Sequence, residues 1–177
     1  MAAQDLSQAI ERVRSVLARR PAAALHADEP AVAAWEDDTR VTVSHANATQ
    51  ISTDMPVEIG GAGNEVTPGW LLRASLASCL ATRIAMEAAV SGVRIKRLTV
   101  HAQGTSDVRG LLGMEGASGE TITAAPCTLE LQVSLEAPAI PEAQLRALVD
   151  RSYRCSPVCA ALDPALRVAL TIEVAGG

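Results

Sequence analysis

The sequence predicts an α+β domain in which an antiparallel sheet packs on one long helix. Three observations carry this. A mostly apolar, small-residue stretch runs from Pro68 to Val90, between a helix-start signal at Thr67-Pro68 and a stop signal at Gly92. Two period-two runs, VRIKRLTVHAQGTSD and TLELQVSLEA, follow it and read as strands. The order helix, strands, long helix, two strands, helix, short helix, strand then suits an α+β arrangement.

Taken in order, the first element is an amphipathic helix from Asp5 to Arg20. Leu6, Ala9, Ile10, Val13, Val16 and Leu17 recur at helical spacing, Asp5 suits the N-cap and Pro21 ends the run. AVAAWEDDTRVTVSHANATQISTD reads as a hairpin region, with Trp35, a turn at Asp37 and Asp38, alternation through Val41 and Val43, and a second run near Ile51. Gly60, Gly61 and Gly63 predict a flexible loop before the long helix. The alanines and serines of that helix predict close packing on all sides. The glycine-rich GLLGMEGASGE lacks the Lys and Ser/Thr of a phosphate-binding loop and lies between two strands, so it reads as a hairpin loop. Pro141 opens a further helix with Glu142 in its first turn, Ser156-Pro157 starts a short one, and RVALTIEVA closes the chain as a strand.

Length and composition narrow the possibilities. With 177 residues the chain fits one domain of ordinary size, residues 22–177, preceded by the helix within 1–21. Apolar residues make up 49%, yet there is no Phe, one Tyr and two Trp, so Ala, Val and Leu must fill the core. A net charge of -5 with interleaved signs argues against nucleic acid as a partner. The 21 residues from Trp70 to Val90 have the length of a membrane span, but Arg73, Arg83 and Glu87 favour a buried helix over one in lipid. The charged N-terminus lacks a secretory apolar region, which points to the cytoplasm and to cysteines kept reduced.

The four cysteines, 79, 127, 155 and 159, carry the chemical interest. Cys79 lies about three turns into the long helix, beyond the reach of its N-terminal field. Spacing alone favours a small buried filler there. Against that stands Arg83, one turn on and on nearly the same face, where a guanidinium can stabilise a thiolate. Cys155 and Cys159 bracket the start of the short helix, a positive end that favours thiolates. Cys127 reads as structural. His26, His45 and His101 show no ligand spacing, so neither a metal nor a cofactor is expected. Glu58 and Glu65 read as solvated loop charges, and Arg40 as a surface residue opening a strand.

Together the motifs resemble a known family. TDMPVEIGGAGNEVTPGWLLRASLASCLATRIAMEAA resembles the central segment of the OsmC/Ohr family: a glycine loop, a Pro eleven residues before a cysteine, and a small-residue helix carrying that cysteine. DVRGLLG resembles the family's turn after the next strand, and YRCSPVCAAL its second cysteine motif. The likeness spans roughly residues 35 to 174, leaving the N-terminal helix outside.

The resemblance implies an intertwined homodimer with two buried central helices and active sites at the dimer interface. It further implies that Cys79 matches the cysteine that attacks a peroxide and becomes a sulfenic acid, and Cys155 the one that resolves it to a disulfide, with Cys159 an extra thiol nearby; the sequence leaves open which of these two resolves it. A dithiol then reduces the disulfide. One departure concerns the residue after the loop proline. Well-studied branches have a Glu there that orients an active-site Arg, whereas Gly69 follows Pro68; Glu65 is the candidate replacement and Arg40 the matching Arg. These departures point to the broader OsmC-like group. The expected activity is reduction of organic hydroperoxides, with non-enzymatic binding of an apolar ligand or stoichiometric redox sensing as alternatives.

Overall fold

The computed structural model describes residues 3–166 and 168–176. In chain order the elements are α1 (Ala3–Arg19), β1 (Val32–Asp37), β2 (Arg40–Ser44), β3 (Gln50–Thr53), α2 (Pro68–Val90), β4 (Arg97–Thr105), α3 (Val108–Leu111), β5 (Thr128–Glu136), α4 (Glu142–Arg154), α5 (Pro157–Leu166) and β6 (Ala169–Ala175). Short 3-10 turns occupy Pro21–Ala24 and Val57–Ile59. α1 already includes Ala3, ahead of the cap expected at Asp5. Arg167, the first residue of the expected closing strand, lies outside the described residues. Among the described residues no helix is long and apolar enough to cross a membrane.

The chain divides into two compact units, residues 13–74 and residues 1–12 with 75–177. In the first, β1, β2 and β3 form an antiparallel meander. Asp38 takes the tight turn between β1 and β2 at φ 39°, a conformation that Asp tolerates better than most residues, and its carbonyl accepts the Trp35 indole N–H at 3.1 Å.

The glycine loop after β3 departs from the flexible segment expected. Buried Asp54 ties it down, accepting from Thr39 Oγ1 at 2.5 Å, Met55 N at 2.7 Å, Ala62 N at 2.8 Å and Gly63 N at 3.2 Å. Gly61 is required by space, since a Cβ there would lie 1.8 Å from the Met55 carbonyl oxygen.

The hydrogen bond from Thr39, assisted by the three amides and opposed by burial, holds the Asp54 carboxyl below its ordinary range. A lowered folded value stabilises the fold at pH above the unfolded carboxylate value of about 3.9. That contribution fades as pH falls through the lower folded value. Asp54→Asn is therefore expected to loosen residues 54–66 at neutral pH. Hydrogen exchange of the Ala62 and Gly63 amides measures this, and unchanged protection refutes the tether.

The second unit holds the main core. β4 and β5 pair antiparallel over nine residues, and β6 joins the other edge of β5. The wholly antiparallel sheet expected from the sequence is thus corrected in two ways. The strands form two separate three-stranded sheets, and β6 lies parallel to β5. The parallel pairing follows from the connection: α4 and α5 carry the chain back, the crossover that parallel neighbours need.

β5, the middle strand, buries Leu129, Leu131, Val133 and Leu135 by strict alternation. They share one buried cluster with Leu76, Leu80, Ile84 and Ala88 of α2 and Leu145, Leu148 and Val149 of α4. The α2 residues recur every fourth position, so one stripe of the helix enters this core. Packing on all sides is not found within one chain: Ser75, Ser78 and Thr82 are exposed.

The helix signals behave as their chemistry demands. Thr67 Oγ1 accepts the Trp70 amide at 3.1 Å, and beyond α2 the left-handed Gly92 lets the Val93 amide reach the Ala88 carbonyl at 2.8 Å. The glycine-rich connection from β4 to β5 does join antiparallel neighbours, and it includes α3, capped by Asp107.

Candidate functional site

Ser75, Ser78, Cys79, Thr82, Arg83 and Met86 recur on α2 at intervals that bring them to one side of the helix. With Pro157 and Val158, from the start of α5, they line an open hollow of about 490 Å³. The surface is mostly apolar, with hydroxyls from Ser75, Ser78 and Thr82 and the Arg83 guanidinium among its lining.

The Cys79 sulfur, half-buried in this hollow, receives a hydrogen bond from Ser156 Oγ at 3.2 Å. Ser156 is wholly buried, one residue before Pro157 fixes the first turn of α5. Its backbone is fully engaged: the amide donates to Tyr153 O at 3.1 Å and the carbonyl accepts from Ala160 N at 2.9 Å. The side chain is thereby aimed by α5 at a sulfur on α2.

Cys159 is buried in the main core. Burial pushes its thiol up and the charge of nearby Cys79 adds to this, while a hydrogen bond from the Ser156 hydroxyl works the other way. The thiolate expected at the start of the short helix is thus corrected for Cys159, because burial penalises its charged form more than its hydrogen bonds favour it.

Arg83 is not given over to Cys79. Its Nη2 donates to Glu87 Oε2 at 2.9 Å, one turn further along α2, and Arg151 Nε of α4 donates to Glu87 Oε1 at 3.1 Å. Burial by itself would raise the Glu87 carboxyl, but hydrogen bonds and charge from Arg151 and Arg83 bring it below its ordinary value. One carboxylate between two guanidiniums leaves a net positive charge and holds Arg83 at the wall of the hollow.

Residues 61–171 match the family described as OsmC-like protein. The chain belongs to the OsmC-like family. No curated protein matches it. Among solved structures it is similar to an OsmC-like protein from Mycoplasma pneumoniae, with 16% identity and a TM-score of 0.68 over 86% of this chain and 99% of that one. An organic hydroperoxide resistance protein from Elizabethkingia anophelis gives 16% identity and a TM-score of 0.63 over 85% and 99%. An OsmC-like protein of unknown function from Vibrio cholerae gives 12% and 0.64 over 85% and 100%. At such identities the likeness is one of fold, and it agrees with the α+β arrangement described above.

The structure sorts the residues singled out from the OsmC-like resemblance. Cys79 and Arg83 line one hollow, and the charge of Cys79 bears on the buried Cys159. Cys155 is exposed, caps the C-terminal end of α4, and is absent from the hollow's lining. The residue that meets the Cys79 sulfur is its neighbour Ser156. Arg40 and Glu65 belong to the unit of residues 13–74, where Arg40 Nη2 donates to Asn64 Oδ1 at 3.4 Å and Glu65 is exposed. Cys127 is exposed at the start of β5. Among the described residues no three His, Cys, Asp or Glu side chains group as metal ligands would.

Sequence reasoning missed Ser156 as a site residue, together with Glu87 and Arg151. Glu87 had a signal, standing four residues beyond Arg83. Ser156 was legible only as a helix cap, and Arg151, 64 residues from Glu87, carried no local signal.

Proposed function

We propose that this chain is a thiol-dependent peroxidase for organic hydroperoxides, with Cys79 as the attacking residue. One observation carries the reading: the Cys79 sulfur lies in a mostly apolar hollow and accepts a hydrogen bond from the buried Ser156 hydroxyl at 3.2 Å. A donor aimed at sulfur favours its thiolate form, and an apolar wall suits the alkyl part of a substrate.

In this reading the Cys79 thiolate attacks one oxygen of the peroxide bond. The O–O bond breaks, the alcohol leaves with a proton, and Cys79 becomes a sulfenic acid. A second thiol then closes a disulfide, which a dithiol reductant reopens. Arg83, steadied by Glu87, supplies positive charge at the rim. The solved hydroperoxide resistance protein of the same fold supports the substrate class. We further propose a cytoplasmic homodimer. The exposed Ser75, Ser78 and Thr82 on α2 and the exposed Val108, Leu111, Leu112 and Met114 support it, as surface for a second copy to cover.

The test is consumption of cumene hydroperoxide and of hydrogen peroxide by the pure protein with dihydrolipoamide or dithiothreitol. Covering about 55 Å² of alkyl surface is worth ~1.4 kcal/mol, so kcat/KM for the organic substrate is expected to be higher by a factor of about ten or more. Equal rates on both substrates would remove the role given to the hollow. A second reading, retention of an apolar ligand without turnover, is favoured by the commitment of Arg83 to Glu87. It predicts no catalytic loss of either peroxide, whereas a redox sensor would consume a single equivalent.

A further inference from the structure

Three side chains near the α4–α5 junction are candidates to react with an oxidised Cys79. Cys155 is exposed at the end of α4. Ser156 touches the Cys79 sulfur but, being a hydroxyl, forms no disulfide. Cys159 lies in the first turn of α5, three residues beyond Ser156, which stands just before the helix, and a three-residue step brings the two to the same side of that turn. The face that aims Ser156 at Cys79 therefore carries Cys159 as well.

Burial agrees with that placement. Cys159 is 0% exposed and belongs to the cluster containing Leu76 and Leu80, the α2 residues on either side of Cys79. The charge of Cys79 bears on the Cys159 thiol and raises it, and the Ser156 hydroxyl that donates to the Cys79 sulfur bears on it as well.

We propose that Cys159, not Cys155, closes the disulfide with oxidised Cys79, beside the Ser156 hydroxyl. This rests on the peroxidase reading for its physiological oxidant, an organic hydroperoxide, but not for the pairing of the sulfurs. The Cys159 thiolate attacks the sulfur of the Cys79 sulfenic acid. The S–S bond forms as the S–O bond breaks, and hydroxide leaves as water with the proton given up by Cys159. The dithiol reductant restores both thiols and is itself oxidised to its disulfide. Because burial keeps Cys159 protonated to higher pH than an ordinary thiol, closure quickens as pH rises. At neutral pH the sulfenic acid persists longer and is open to further oxidation by excess peroxide.

The test maps disulfides by mass spectrometry under non-reducing conditions, after treating the protein separately with diamide and with one equivalent of cumene hydroperoxide. Diamide joins neighbouring thiols without needing peroxidase chemistry. A Cys79–Cys159 bond is expected as the dominant product of both oxidants, in the native protein and in Cys155→Ser. In Cys159→Ala that bond is lost, and a Cys79 sulfenic acid trappable by dimedone is expected after peroxide. Cys159 is a core residue, so if that variant does not fold the native and Cys155→Ser maps decide the matter. A bond from Cys79 to any other cysteine, or diamide leaving both thiols open to alkylation, overturns the proposal. A Cys79–Cys159 bond formed by diamide while peroxide leaves Cys79 reduced upholds the pairing and overturns the peroxidase reading instead.

Discussion

Cys79→Ser is expected to lower kcat/KM for cumene hydroperoxide by roughly 10³-fold or more, a loss of about 4 kcal/mol in transition-state stabilisation. A serine hydroxyl fits the same space and can still accept the hydrogen bond from Ser156, so the hollow and its contacts remain. What disappears is a sulfur nucleophile, far stronger than a hydroxyl and able to form a stable bond to oxygen. The fold should be nearly unaffected, since a change of one atom at a half-buried position usually costs less than about 1 kcal/mol. Steady-state peroxide consumption and thermal unfolding, measured on the same sample, separate the two effects. Undiminished turnover in a stably folded Cys79→Ser protein would remove Cys79 from the chemistry.

The second large effect is expected at Glu87. Its carboxylate, only 14% exposed, is the one partner shared by Arg83 of α2 and Arg151 of α4. Glu87→Gln keeps the shape and removes the charge, leaving two guanidiniums without a counter-ion. Losing one partner of a fully buried pair costs about 3–5 kcal/mol; Arg151 is half in solvent, so about 1–3 kcal/mol is expected here.

The pH dependence fixes the sign. The carboxyl is lowered on folding, so its contribution is complete above the unfolded glutamate value of about 4.3 and is lost as pH falls through the folded value. Native and variant proteins should therefore differ most at neutral pH and converge in acid, as denaturant midpoints across that range can show. A difference that stays constant with pH would mean that the charge of Glu87 is not what joins the two helices.

Local sequence was informative where one element's own chemistry suffices. Thr67, Pro68 and Gly92 bound α2 because a cap, a pre-set φ and a left-handed residue act within a turn of the helix end. β4 and β5 followed from alternation, because side chains on a pleated strand face opposite ways in turn. Arg83 was found as a neighbour of Cys79 from helical spacing alone, and the same spacing could have revealed Glu87 as its partner.

Other features depended on residues far apart in sequence. Asp54 turned glycines read as flexible into a tied loop, by collecting donors up to 15 residues away. The parallel placement of β6 depended on how α4 and α5 return the chain.

By itself, then, the sequence determined the α+β class, the order and limits of most elements and membership of the OsmC-like family, and its resemblance pointed to Cys79. Only the tertiary structure decided which side chain meets that cysteine. Cys155, Ser156 and Cys159 lie within five consecutive residues, and sequence spacing cannot tell which of them faces α2. The end of α4 and the first turn of α5 leave Cys155 outside, aim Ser156 at the Cys79 sulfur and bury Cys159 in the core. The physical reason is that consecutive residues at a helix junction point in different directions, and packing 77 residues away in sequence selects among them.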